Sequence, residues 1–199
     1  MREVKPGSSV YVMDDVISDE LCETIRIVLN NVNNLKVEDY SVKTNVKCKF
    51  IMPLDLENKK FGGILDKEIY NVVSGILKRA LSEDTTFTSA GKWDTPGVSS
   101  FSSDCGYTLR KIHGATRLHV DDIFGGTPDL KEVRKLSLII ALNSDYDGGE
   151  FYFPNQGIDK IKLKKGQAIL FPPYWTHPHG TKELNNETFR YTINTWLHE

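Results

Sequence analysis

A chain of 199 residues, 39% hydrophobic and 26% charged, suits one domain whose core needs neither disulfides nor a structural metal. The formal net charge of -2 gives no reason to expect nucleic acid or an acidic membrane surface as a partner. Cys22, Cys48 and Cys105 form no C-x-x-C pair, which excludes a zinc ribbon and a thioredoxin-like motif, so reduced thiols in a cytoplasmic protein are expected.

No apolar run approaches the roughly 18 residues that span a bilayer. The start, Met1 to Pro6, lacks the apolar stretch of a secretory signal. Val10 to Met13 then reads as a short strand. Ser18 is placed as a helix N-cap, followed by Asp19 and Glu20 where carboxylates suit the helix dipole. Leu21, Ile25, Val28 and Leu29 continue at helical spacing, and the asparagine-rich run from Asn30 to Asn34 ends the helix. A second helix is expected from Ile69, Val72, Val73, Ile76, Leu77 and Ala80, which share one face of a 3.6-residue period. Residues 89–104, with Gly91, Pro96, Gly97, Trp93 and Phe101, read as a long loop of the kind that serves as a lid or simply connects.

From about residue 105 the pattern becomes β. Arg117 to Asp121 alternates, and Leu136 to Leu142 is a near-continuous apolar run, as in a strand covered on both faces. Asp145 to Gly149 is a turn. Glu150 to Phe153, Ile161 to Leu163, Ala168 to Phe171 and Phe189 to Leu197 follow as strands. Many short strands separated by turns imply a sandwich or barrel.

The chemistry rests on His119-Val120-Asp121. In a strand, residues i and i+2 project to one face, so the imidazole and the carboxylate stand together. Two such ligands plus a distant histidine make the facial triad of non-haem Fe(II) oxygenases, which leaves open positions for co-substrate and O₂. Alone, H-x-D is common by chance. The C-terminal segment adds Thr176-His177-Pro178-His179-Gly180 and a last strand beginning at Arg190. A guanidinium there suits a dicarboxylate, which it can hold through two parallel hydrogen bonds. His177 and His179 compete for the third ligand position; His179 is favoured.

Four segments stand in a telling order: LRKIHGATRLHVDD at 109–122, RKLSLIIALNSDYDGGEF at 134–151, LFPPYWTHPHG at 170–180 and FRYTINTW at 189–196. Together they resemble the prolyl 4-hydroxylase-like branch of the Fe(II)/2-oxoglutarate dioxygenases, with a looser echo over Val10 to Cys22. The resemblance implies a mostly β fold, a double-stranded β-helix or jelly roll over 105–197. A helix-rich part, 1–88, would support it within a single oxygenase domain spanning 1–199. It implies Fe(II) on His119, Asp121 and His179, 2-oxoglutarate on Arg190 with help from Thr192, and O₂ as oxidant; ascorbate stays open as an accessory reductant. It further implies hydroxylation of a C–H bond, first of all in a prolyl residue of a peptide or protein, with free amino acids and other small molecules as alternatives. Two departures stand out. The gap from His179 to Arg190 is one residue longer than usual in the family, an insertion placed in Lys182 to Glu187. The tyrosine that usually helps bind 2-oxoglutarate is missing from Leu109 to Ile112, and Tyr107 stands too early. Lys111 and Arg117 are weaker candidates for charge near the mouth. A halogenase would replace the carboxylate ligand, and Asp121 argues against one. A β-barrel binding module without turnover is the reading of a different class.

Overall fold

The alternation of the C-terminal half folds as two facing antiparallel sheets. The computed structural model describes residues 1–31, 36–39, 47–51, 62–83, 107–121 and 134–198. In chain order the elements are β1 (Arg2–Glu3), β2 (Tyr11–Met13), α1 (Asp19–Asn31), β3 (Lys36–Asp39), β4 (Lys47–Ile51), α2 (Gly62–Glu83), β5 (Thr108–His113) and β6 (Arg134–Ala141). After these come β7 (Phe151–Phe153), a 3₁₀ turn (Pro154–Gln156), β8 (Ile158–Ile161), β9 (Ala168–Phe171), β10 (Gly180–Thr181) and β11 (Arg190–His198). The large sheet has the order β1-β2-β9-β6-β11-β5-β4-β3, and the small one β10-β7-β8.

The strand β6 sits between β9 and β11, and its two faces have different neighbours. Leu136, Leu138, Ile140 and Leu142 pack against the helices, together with Leu109, Leu170, Tyr191 and Ile193. Ile139 and Ala141 face the small sheet, with Val12, Ile169, Phe171, Phe151 and Phe153. The period-2 geometry of a strand buried on both sides therefore divides the apolar core into a helix layer and a barrel interior. Burying a leucine or isoleucine fully stabilises by about 1.5–3 kcal/mol, so both layers matter.

The helices form where the spacing predicts them. The Ser18 hydroxyl accepts the N–H of Leu21 at 3.2 Å, which caps α1, and Cys22, Ile25 and Leu29 bury one face. The longer α2 buries Leu65, Ile69, Val73, Ile76, Leu77 and Ala80. It extends beyond the expected 69–80 at both ends. Two strand expectations shift. The strand expected at Ile161 to Leu163 lies at Ile158–Ile161. Arg117 to Asp121 is not a regular strand but carries one isolated bridge, His119 with His179. Its polar groups are drawn off locally. The Arg117 carbonyl meets His119 Nδ1 at 2.8 Å, and the Asp121 carbonyl accepts from Arg134 Nη1 at 2.7 Å. The loop expected at 89–104 lies outside the described residues.

Candidate active site

The bridge that replaces a strand brings two distant histidines together. The His119 N–H donates to the His179 carbonyl at 2.9 Å, and the His179 N–H to the His119 carbonyl at 2.8 Å. Gly180 permits the approach: a Cβ there would stand 2.6 Å from the Tyr152 hydroxyl and 2.7 Å from the Thr116 carbonyl. The ring centroids of His119 and His179 lie 4.4 Å apart. His119 Nε2 is 3.3 Å from Asp121 Oδ1, and His179 Nε2 is 3.7 Å from the same oxygen. One ligand atom from each of the three residues lies within 4.8 Å of the others. Donors about 2.1 Å from a six-coordinate ion stand about 3 Å apart at right angles, so the two nitrogens and one oxygen fit a divalent cation with little adjustment.

The surroundings prepare each donor. Both histidines turn Nδ1 to a backbone carbonyl, Arg117 at 2.8 Å and His177 at 3.1 Å, so Nδ1 is the donor there and Nε2 points inward toward the Asp121 carboxylate. Ser137, fully buried in β6, donates its hydroxyl to Asp121 Oδ2 at 2.6 Å and leaves Oδ1 to the site. Phe171 meets the His179 ring edge-on at 4.5 Å, and Phe153 stacks on it at 5.5 Å, making a dry wall.

Electrostatics follow this geometry. Burial pushes the Asp121 carboxyl up, but its hydrogen bond with His119, the nearby His179 and the Ser137 hydroxyl outweigh that and hold it well below the usual carboxylate range. Burial pulls His119 down, yet the Asp121 partner wins and raises it. For His179 burial prevails, and the ring favours its neutral form.

Residues of one face of β11 line the barrel deeper in. Arg190 is buried, donates Nη1 to the Gly149 carbonyl at 2.7 Å, and lies 4.8 Å over the Phe151 ring. Thr192, on the same face, gives its hydroxyl to Asn194 Oδ1 at 2.5 Å. The structure thus brings His119, Asp121 and His179 together and sets Arg190 and Thr192 in the same interior. His177 stands outside the cluster. Its ring is buried between the Ser8 carbonyl, at 2.9 Å, and the Thr176 hydroxyl, at 2.8 Å, so it packs against the β1–β2 loop.

Other sequence candidates fall elsewhere. Tyr107 faces the helix layer and donates its hydroxyl to Asp66 at 2.6 Å. Lys111 reaches Asn30 at 2.8 Å and lies over the Phe189 ring, so its charge stays outside the barrel. His113 meets the Thr188 carbonyl at 3.0 Å, and Trp175 is 75% exposed. Sequence reasoning passed over Ser137 and Arg134, both of which hold Asp121. Ser137 had a signal: a lone hydroxyl inside LSLIIAL must find a partner once buried.

Comparison with known proteins agrees with this geometry. Residues 107–198 match the model of the 2OG-Fe(II) oxygenase superfamily. Prolyl 3-hydroxylase 1 of Rattus norvegicus is 27% identical over 98% of the chain, and that of Homo sapiens 25% over 96%. The chain spans 29% and 28% of the length of these two relatives. Among solved structures, the 2OG complex of a viral collagen prolyl hydroxylase from Paramecium Bursaria Chlorella virus-1 aligns with TM-score 0.59 at 20% identity, over 98% of this chain and 99% of that one. A prolyl hydroxylase from Trichoplax adhaerens, in complex with a hypoxia inducible factor oxygen degradation domain peptide fragment, aligns with TM-score 0.62 at 14% identity, over 96% and 84%. The fold is the double-stranded β-helix of these neighbours. Residues 107–198, which carry the His-Asp-His cluster, are thus similar in sequence to the 2OG-Fe(II) oxygenase superfamily, and the chain shares its fold with prolyl hydroxylase structures.

Proposed function

We propose that this chain hydroxylates a prolyl residue in a peptide or protein, with Fe(II) held by His119, Asp121 and His179 and the distal carboxylate of 2-oxoglutarate held by Arg190. The observation that carries the proposal is the convergence of three donor atoms within 4.8 Å in a barrel that also buries Arg190. Bound Fe(II), with 2-oxoglutarate and O₂, supplies oxidative decarboxylation to succinate and CO₂ coupled to insertion of one oxygen atom into a C–H bond.

The protein's part is geometric and electrostatic. His119, Asp121 and His179 occupy one side of the metal position and leave the other for small ligands. Ser137 and the two Nδ1 contacts fix the orientation of the donors. Arg190 presents a buried planar guanidinium beside Phe151, where a carboxylate can accept its N–H groups. Thr192 adds a hydroxyl on the same strand face. Phe153 and Phe171 keep water from the His179 side.

The names of the relatives support a prolyl substrate, and the peptide complex of the Trichoplax neighbour supports a chain-like one. The curated relatives are prolyl 3-hydroxylases, whereas a structural neighbour from Pseudomonas putida is a prolyl-4-hydroxylase, so the ring position is an outcome of the test. The experiment is a succinate-release assay over proline-containing peptides, free amino acids and other small molecules, with fragmentation mass spectrometry to locate the added oxygen. Peptide-dependent succinate with oxygen on a prolyl ring supports the proposal. Succinate stimulated only by a free amino acid moves the substrate to that class. Absence of any 2-oxoglutarate turnover or binding favours a non-catalytic module.

A further inference from the structure

The segment that carries two of the three metal donors is also a sheet edge. The small sheet, β10-β7-β8, continues past β10 into residues 116–119. Thr181 donates its N–H to the Thr116 carbonyl at 3.0 Å, and His119 and His179 exchange both backbone bonds. In an antiparallel pair, a residue that exchanges both bonds with one neighbour has none left for the other side, and the next residue turns its N–H and C=O the opposite way. His119 thus faces β10, and Val120 faces outward. Among the described residues, neither backbone group of Val120 has a hydrogen-bond partner. An unpaired edge of this kind is a template for an added strand.

This edge borders the open side of the metal cluster. The His119 side chain is 39% exposed, against 3% for His179 and 11% for Asp121. The donors are therefore reached along the His119 segment and not through β10. Leu118, next to His119, is an exposed apolar side chain on the same segment. The backbone bends at Leu118, so regular pairing runs from His119 toward Asp121.

We propose that the substrate peptide adds to this edge as an antiparallel strand, with the reactive prolyl residue opposite His119 and the residue before it opposite Val120. This rests on the prolyl reading above. The antiparallel direction matches every pairing in the small sheet. Cross-strand neighbours share a face, so a ring opposite His119 projects beside its imidazole toward the donors. On this side His119 is a non-hydrogen-bonded position, so the residue opposite it needs no N–H. Proline, which has none, is accepted there as it is on edge strands generally. The residue before a proline is held in extended geometry, and its N–H and C=O meet those of Val120. Proline is thus excluded from the preceding position but not from the reactive one.

The test uses the full chain and a proline-containing peptide that stimulates succinate release, remade with a single backbone ester in place of one amide. An ester at the residue before the prolyl deletes the N–H that the Val120 carbonyl would accept. It should lower kcat/KM for the peptide about tenfold, the scale of one hydrogen bond lost with its acceptor left bare. The same ester about five residues earlier, beyond the edge, should leave kcat/KM within about twofold. Proline or an N-methyl group at the preceding position should abolish turnover. Hydrogen exchange read by mass spectrometry, on protein loaded with Mn(II) and 2-oxoglutarate, gives a readout without turnover. The Val120 amide should exchange fast in the free protein and about tenfold or more slowly with saturating peptide. Unchanged kcat/KM for the ester peptide, or a Val120 amide that peptide does not protect, overturns the pairing while leaving the prolyl reading intact. A Val120 amide already protected without peptide places another segment or a second copy on this edge and overturns it as well. If no proline-containing peptide stimulates succinate release, the prolyl reading itself falls, and the inference with it.

Discussion

Replacing Ser137 with alanine removes one oxygen atom from the core of β6, and its effect can be worked out before it is measured. The Ser137 hydroxyl is fully buried and donates to Asp121 Oδ2 at 2.6 Å, a short bond to a charged acceptor. The space left by a hydroxyl is too small for an ordered water, so Oδ2 loses its donor without replacement. A hydrogen bond to a charged group contributes about 1.5–3 kcal/mol, which corresponds to roughly 10- to 100-fold. Loss of an outer contact to a metal ligand falls in the same range of about 10- to 100-fold in affinity. Titration of Fe(II) or Mn(II) into Ser137→Ala should therefore show weakened metal binding, with 2-oxoglutarate affinity at saturating metal little changed. Ser137→Thr, which keeps the hydroxyl, should recover most of the affinity if the strand accepts the extra methyl. Metal affinity within twofold of wild type in Ser137→Ala would refute the view that Ser137 orients Asp121.

Three other outcomes follow from the same geometry. Arg190→Lys keeps the charge but loses the fork and the contact to the Gly149 carbonyl, so the 2-oxoglutarate requirement should rise about tenfold or more while metal binding persists, as read by calorimetry. Tyr107→Phe should leave 2-oxoglutarate affinity unchanged and destabilise the fold by about 1–2 kcal/mol, measured by denaturant titration, because its hydroxyl serves Asp66 on α2. Cys22 is fully buried in α1, and burial pushes its thiol from 9.0 up to about 11. Between those values the native thiol keeps a proton that the unfolded chain has lost, so its contribution to stability is present below the lower value and lost as pH rises through the upper one. Alkylation mapped by mass spectrometry should find Cys22 unreactive in the native protein near pH 8 and reactive once it is unfolded.

Much of this was legible in the residues, for identifiable reasons. The run LSLIIAL reads as a strand covered on both faces because every residue in it but Ser137 is apolar, and β6 is indeed covered on both sides. The period-3.6 face of α2 and the Ser18 cap are local features, and local features survive folding. His119 and Asp121 share a side although no regular strand holds them; a single bridge to His179 keeps the backbone extended enough. What stayed hidden was pairing over long sequence separations. Nothing in FRYTINTW says that β11 lies between β5 and β6, so nothing says that Arg110 meets Thr192 or that Trp196 meets Ser137. The same blindness affected the histidines. His177 and His179 would share a face in an extended segment, and although the sequence favours His179, it is the packing of His177 against the Ser8 carbonyl and the placement of His179 beside Asp121 that separate them in the fold.

A single reaction under isotopically labelled O₂ decides whether the chain couples 2-oxoglutarate turnover to prolyl hydroxylation. Fe(II)-loaded protein, 2-oxoglutarate and a proline-containing peptide that stimulates succinate release are combined, and both products are weighed. One labelled oxygen should appear in succinate and one on the prolyl ring in equal amounts, with neither formed by Asp121→Ala. Labelled succinate without labelled peptide across the whole peptide panel would contradict the prolyl assignment, and unlabelled, unconsumed 2-oxoglutarate would contradict the oxygenase chemistry itself.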